Sequence, residues 1–129
     1  MTQVIRFLDI AKSLEDVGLV WHPEIGDEIS DKQVPQNVSV LVDTGGLTPP
    51  QLRENYLWLP TVEQMVLQVE ARQAILFHAG LEMSEHSYCY KTVIQAKNGA
   101  VEGAAFSLRD ALGKALCDLL VVESGTGFH

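Results

Sequence analysis

Hydrophobic and polar positions are most regular in the last third of the chain. From Ser87 to Gln95, Tyr88, Tyr90, Thr92 and Ile94 fall on one side of an extended backbone and Cys89, Lys91 and Val93 on the other. That is the period of two expected of a strand. Asn98-Gly99 follows, and then Ala100 to Phe106. Asn-Gly predicts a two-residue hairpin, because a type I′ turn requires positive φ at both central positions. Ser107 is placed to cap a helix whose apolar residues, Leu108, Ala111, Leu112, Ala115, Leu116, Leu119 and Leu120, recur at steps of three and four. The passage therefore predicts a hairpin with a helix laid over one face. That face bears either Tyr88, Tyr90 and Ile94 or Cys89 and Val93.

Earlier segments are shorter. Val4, Phe7, Leu8, Ala11 and Leu14 keep helical spacing and Gly18 stands where a C′ residue belongs, predicting a helix over 3–17. Leu19-Val20-Trp21, closed by His22-Pro23, suits an early strand. The stretch from Glu24 to Asn37 holds Glu24, Asp27, Glu28 and Asp31 and reads as an exposed loop or loose hairpin arm. Val38 to Val42 is β-branched and bounded by Asn37 and Asp43, predicting a strand. Thr48-Pro49-Pro50 keeps the next piece out of a sheet. Tyr56 to Pro60 leads into Thr61, which with Gln64 forms a capping box for a helix reaching about Arg72. Ala74 to Ala79 suits either an extension of that helix or a strand. Arg72-Gln73 falls where the apolar face should continue, which favours the strand. The order is α-β-β-α-(β)-β-β-α with no internal repeat, so the expected fold is a single α+β domain over residues 1–129, an antiparallel sheet carrying helices on one or both faces.

Length and composition agree with that picture. A chain of 129 residues with 47% hydrophobic and 20% charged residues can bury a core without staples. No apolar run approaches the roughly 20 residues of a membrane span, and the Met1 to Arg6 start lacks the layout of a secretory signal. Cys89 and Cys117 fall in unlike settings without metal or disulfide spacing. A cytoplasmic protein with free thiols is expected. The formal net charge is −8, and its nine Lys and Arg residues are scattered. Binding to nucleic acid or to an anionic membrane is therefore not expected.

Candidate chemistry is sparse. Asp43-Thr44-Gly45 after Val40-Leu41-Val42 resembles the aspartic protease signature, in which an Asp at a strand end shares a proton with a second Asp. A chain of this size could use it only as a dimer. The readable helices and the lack of a later apolar-apolar-Gly-Arg segment favour a polar turn instead, for which Asp and Gly suit the backbone. His22, Glu24, Asp27 and Glu28 offer nitrogen and oxygen ligands, and His78 and His86 flank a loop, yet neither set has recognised metal spacing. Cys89 and Cys117 lack an evident activator and read as packing thiols. Gly45-Gly46 lacks the lysine and helix of a phosphate loop. Trp21, Tyr56 and Trp58 are read as core before pocket.

Trp58-Leu59-Pro60-Thr61-Val62-Glu63-Gln64, a Tyr-bearing strand, a Gly turn and an Ala-Leu-rich last helix are together similar to small uncharacterised bacterial and prophage proteins. Some of these are grouped as phage "ABA sandwich" proteins. The similarity runs from Tyr56 to Leu120 and leaves out Pro23 to Pro50. It implies a compact α+β sandwich with helices on an antiparallel sheet, and it supplies no activity and no site residue. The reading is a non-catalytic accessory or interaction protein that self-associates, with no catalytic, metal or cofactor residue assigned. The alternatives are a dimeric aspartic hydrolase centred on Asp43 and a small-molecule or metal-binding module at His22. Gly113 sits mid-helix one turn before Cys117, and that flank is a candidate for contact with a second copy or for close packing within the chain.

Overall fold

The computed structural model describes residues 2–126, and the chain divides into two compact units, Met1–Pro60 and Thr61–His129. Its class is α+β, with two three-stranded antiparallel sheets where the sequence suggests one.

In the first unit α1 (Thr2–Asp16) ends as its Gly predicts. Gly18, at φ 104°, donates to Glu15 O at 3.1 Å and Leu19 donates to Leu14 O at 2.9 Å. These are the two crossed bonds of a Schellman motif, which places its C′ residue in the left-handed region. Leu19 to Trp21 is not a strand. The Trp21 carbonyl accepts from Arg53 Nη1 at 2.9 Å and its indole N–H donates to Asp27 Oδ2 at 2.8 Å, so side chains satisfy this segment in place of a ladder.

The first strand is instead β1 (Glu28–Asp31), inside the acidic stretch, where it is the hairpin-arm alternative that holds: β1 pairs antiparallel with the next strand. It is the centre of its sheet, between β2 (Val38–Val40) and β3 (Tyr56–Trp58). Only Ile29 in β1 is apolar. Ser30 can be buried beside it because its hydroxyl donates to Pro35 O at 2.7 Å. Between β2 and β3 runs α2 (Pro49–Asn55): the piece that the prolines keep out of a sheet is a helix, which the sequence reading does not name. The prolines start this helix: Thr48 and Gln51 form its capping box, and Pro49 lacks only an N–H that the first turn leaves unpaired.

In the second unit Thr61 and Gln64 cap α3 (Val62–Ala71) as expected. Residues 74–79 fall mainly in β4 (Ile75–Ser84), settling the strand reading. β4 pairs with β5 (Ser87–Ala96), and β5 with β6 (Gly99–Ala105), in the order β4-β5-β6. Asn98-Gly99 does not form the predicted type I′ turn. Ala96 pairs with Gly99, so Lys97 and Asn98 are the loop, and Gly99 alone takes positive φ.

The final helix, α4 (Leu108–Thr126), is capped by Ser107, whose Oγ accepts from Asp110 N at 3.1 Å. It packs on β5 and β6, over the face bearing Thr92 and Ile94, and Leu112, Leu116, Leu119 and Leu120 are buried. The contact is close because Gly103 presents no side chain to the helix. The Thr92 hydroxyl donates to Ala111 O at 2.9 Å across the same gap.

The end of α3 repeats the Schellman geometry of α1 with the wrong residue. Gln73 N donates to Glu70 O at 2.9 Å and Ala74 N to Val69 O at 3.2 Å, yet the left-handed position, at φ 59°, is Gln73. Left-handed backbone strains a residue with a Cβ. Gln73→Gly is expected to stabilise the protein by about 0.5–1 kcal/mol, the relief outweighing glycine's extra unfolded-state entropy. Thermal unfolding checks it, and a lowered midpoint would show that the entropy term wins.

Candidate functional site

Asp43 lies in the turn after β2, exposed, and its Oδ1 accepts from Gly45 N at 2.7 Å. Gly45 and Gly46 take positive φ of 59° and 80°. This is an Asx turn, the local use of Asp weighed above. Asn would supply the same Oδ1 acceptor. Asp43→Asn is therefore expected to change stability by less than about 0.5 kcal/mol and to remove no activity. Pepstatin-sensitive peptide cleavage by the wild type, lost in the variant, would contradict this.

The other candidate residues are dispersed. His22 is exposed, whereas Asp27 is buried and accepts from Trp21 Nε1 at 2.8 Å and from Glu24 N at 3.0 Å. Asp27 thus anchors the loop that would have presented it to a metal. Among the described residues no three His, Cys, Asp or Glu side chains gather as ligands. His78 lies near the base of the β4–β5 hairpin and His86 in its turn, about 20 Å apart at ~3.3 Å per residue. His78 Nε2 stands 3.1 Å from Glu82 Oε2 without the alignment of a hydrogen bond.

Cys89 and Cys117 are free and half-buried. Burial, and then the neighbouring Asp118 carboxylate, push the Cys117 thiol above its ordinary range, which disfavours the reactive thiolate. Trp21 and Trp58 meet around a cavity of about 10 Å³, far below the ~300 Å³ at which ligand pockets begin. The buried Trp58 indole N–H has no acceptor among the described residues. Larger clefts are open and polar-rimmed. One, of about 430 Å³, lies between the β5–β6 turn and α4 and is crossed by the Arg72–Glu123 pair at 3.2 Å. Another, of about 340 Å³, lies beside α1 and holds the Lys32–Glu15 pair at 3.0 Å.

The surface that stands out is β4. The β5–β6 ladder ends at Tyr90 opposite Ala105, because Phe106-Ser107 turn into α4. The β4–β5 ladder continues past Leu81–Tyr90 to Ser84–Ser87, so residues 82–89 project as a two-stranded arm. On β4 the side chains of Ile75, Phe77, Leu81 and Met83 are 64%, 73%, 56% and 71% exposed. Tyr88 lies opposite Met83 and is exposed as well. Edge strands in soluble proteins usually carry Lys, Pro or inward-pointing charge against pairing with other chains. β4 has no Lys, Arg or Pro, and its guards are Glu82, 3.1 Å from His78, and one irregularity between Leu76 and His78.

Gly113, the sequence's candidate for contact with a second copy, is buried in the chain. Cys117, one turn on, is half-buried, and the burial of Gly113 favours the close-packing alternative. Sequence reasoning located β4 but not its exposure, because an apolar run without alternation has the pattern of a strand covered on both faces.

Comparison with known proteins gives no match to a family model, to a curated protein or to a solved structure. Among the described residues no helix is long and apolar enough to cross a membrane.

Proposed function

We propose that this chain is a non-catalytic accessory protein that acts through protein contacts, beginning with its own copies. One observation carries the reading: a ten-residue edge strand with four large apolar side chains more than half exposed. Large apolar side chains gathered on an open sheet edge mark an interaction site in a soluble protein. The likeness of residues 56–120 to the phage "ABA sandwich" group, which carries no activity, belongs to the same proposal. Free thiols suit the cytoplasm. The excess of 17 acidic over nine basic residues suits neither nucleic acid nor an anionic bilayer as partner.

Sedimentation velocity over a wide concentration range tests self-association. The expected result is a reversible shift from monomer to dimer as concentration rises. A single monomeric species throughout would overturn the reading.

A further inference from the structure

We infer that the partner of β4 is β4 of a second copy, paired antiparallel about a two-fold axis at Gly80, so that two three-stranded sheets join into one of six strands. The inference rests on the self-association reading and adds its surface, register and symmetry. β4 is hydrogen-bonded on one side to β5, and it is an end strand of its sheet. Its opposite edge is therefore a row of backbone donors and acceptors available to another strand.

The sequence of that edge is self-complementary in one register. His78 and Glu82 are the only titratable side chains of β4, and they flank Gly80 symmetrically. His78, Gly80 and Glu82 oppose Val93, Lys91 and Cys89 on β5, so all three share the sheet face away from α4. With Gly80 on the axis, His78 faces Glu82 of the second copy, and Glu82 faces its His78. An imidazole then meets a carboxylate twice across the junction, each pair exchanging the contact that His78 and Glu82 make within one chain at 3.1 Å for the same contact between chains. On the other face Leu81 comes to lie against Ala79 of the second copy, also twice. Moving the axis by one residue to Leu81 places His78 opposite Ser84 and Glu82 opposite Gly80, and both imidazole–carboxylate pairs between the chains are lost.

The glycine itself suits the axis. Its φ lies outside the left-handed region, so it is not present for backbone freedom. A two-fold axis brings the two copies of a residue into direct opposition, and glycine adds no side chain of its own there beneath the His78 ring, whose Cε1 lies 3.5 Å from where a Cβ would stand.

Three measurements test the pairing. Two Gly80 Cα atoms on the axis would stand about 4.5 or 5.5 Å apart, depending on the hydrogen-bond phase of the ladder. Both separations fall within the ~4.4–6.8 Å of a disulfide. A Cβ at Gly80 meets nothing closer than His78 Cε1 at 3.5 Å, so Gly80→Cys fits the monomer. In a Cys89→Ser, Cys117→Ser background, Gly80→Cys should form a covalent dimer on mild oxidation, reversed by reductant. Leu81→Lys, which adds an edge-guarding charge, should raise the dimer dissociation constant about tenfold or more. His78→Glu should weaken the dimer similarly, and adding Glu82→His to it should restore association. A dimer that persists without the disulfide and ignores Leu81→Lys would overturn this pairing while leaving self-association intact. A wild type monomeric at every concentration would overturn both.

Discussion

Gly103→Ala is expected to cost on the order of 3 kcal/mol or more and to leave much of the protein unfolded at moderate urea. A Cβ built at this position collides with the Ala111 carbonyl oxygen and stands 2.7 Å from Ala115 N. Both are backbone atoms of α4, so no side-chain rotation relieves the clash and the helix must lift from the sheet. Lifting it breaks the bond from Thr92 Oγ1 to Ala111 O and opens the packing of Leu112 and Leu116. Overpacking where flexible side chains yield costs about 1–3 kcal/mol, and backbone against backbone belongs above that range. Gly80→Ala is the control, since its nearest neighbour at 3.5 Å is an ordinary contact. If urea unfolding showed equal, small losses for both alanines, the close approach of α4 to β6 would be wrong.

Leu116→Ala is the second large effect, at about 2–5 kcal/mol. Leu116 is fully buried on the face of α4 that covers the sheet. Truncation forfeits its transfer from water and leaves a cavity between helix and strands that Thr92 and Ile94 cannot fill, because both are themselves buried there. Val122→Ala, at a half-exposed position of the same helix, should change stability by less than about 0.5 kcal/mol. A loss under half a kcal/mol at Leu116 would mean that α4 is not docked through this face.

These two sites show what the sequence disclosed and what it withheld. The seven apolar residues of α4 keep a strict helical period, so the helix, its Ser107 cap and its buried face were all legible. So were Gly18 as a helix terminator and Thr61 with Gln64 as a cap, because each is a local device with a local physical cause. Gly103 was not legible as a contact point: a glycine in a strand is silent about what approaches it. β1 was legible only as one of two alternatives, for a related reason. Its Ser30 is buried by a hydrogen bond to Pro35, a partner that no periodicity marks. Two prolines concealed α2, because the same residue that breaks a helix interior opens its first turn.

Of the candidate site, the strand was readable and its exposure was not. Ile75, Leu76 and Phe77 have the composition of a covered strand, and only the sheet order makes them an edge. The acidic loop failed as a metal site because Asp27 turns inward to the Trp21 indole. Nothing in the spacing of His22, Glu24, Asp27 and Glu28 distinguishes a carboxylate facing water from one facing the core.

The two sheets also differ in how the chain must close them. β4, β5 and β6 are consecutive neighbours joined by two-residue turns, and α4 returns at once onto the last two. β1 must instead wait for β3, because Asp31 pairs with Tyr56 only after β2 and α2 have been traversed. Contacts between near neighbours in sequence form with little loss of chain entropy, and those across long excursions form late. The hairpin-and-helix unit is therefore expected to form its contacts before the β1-centred sheet forms its own.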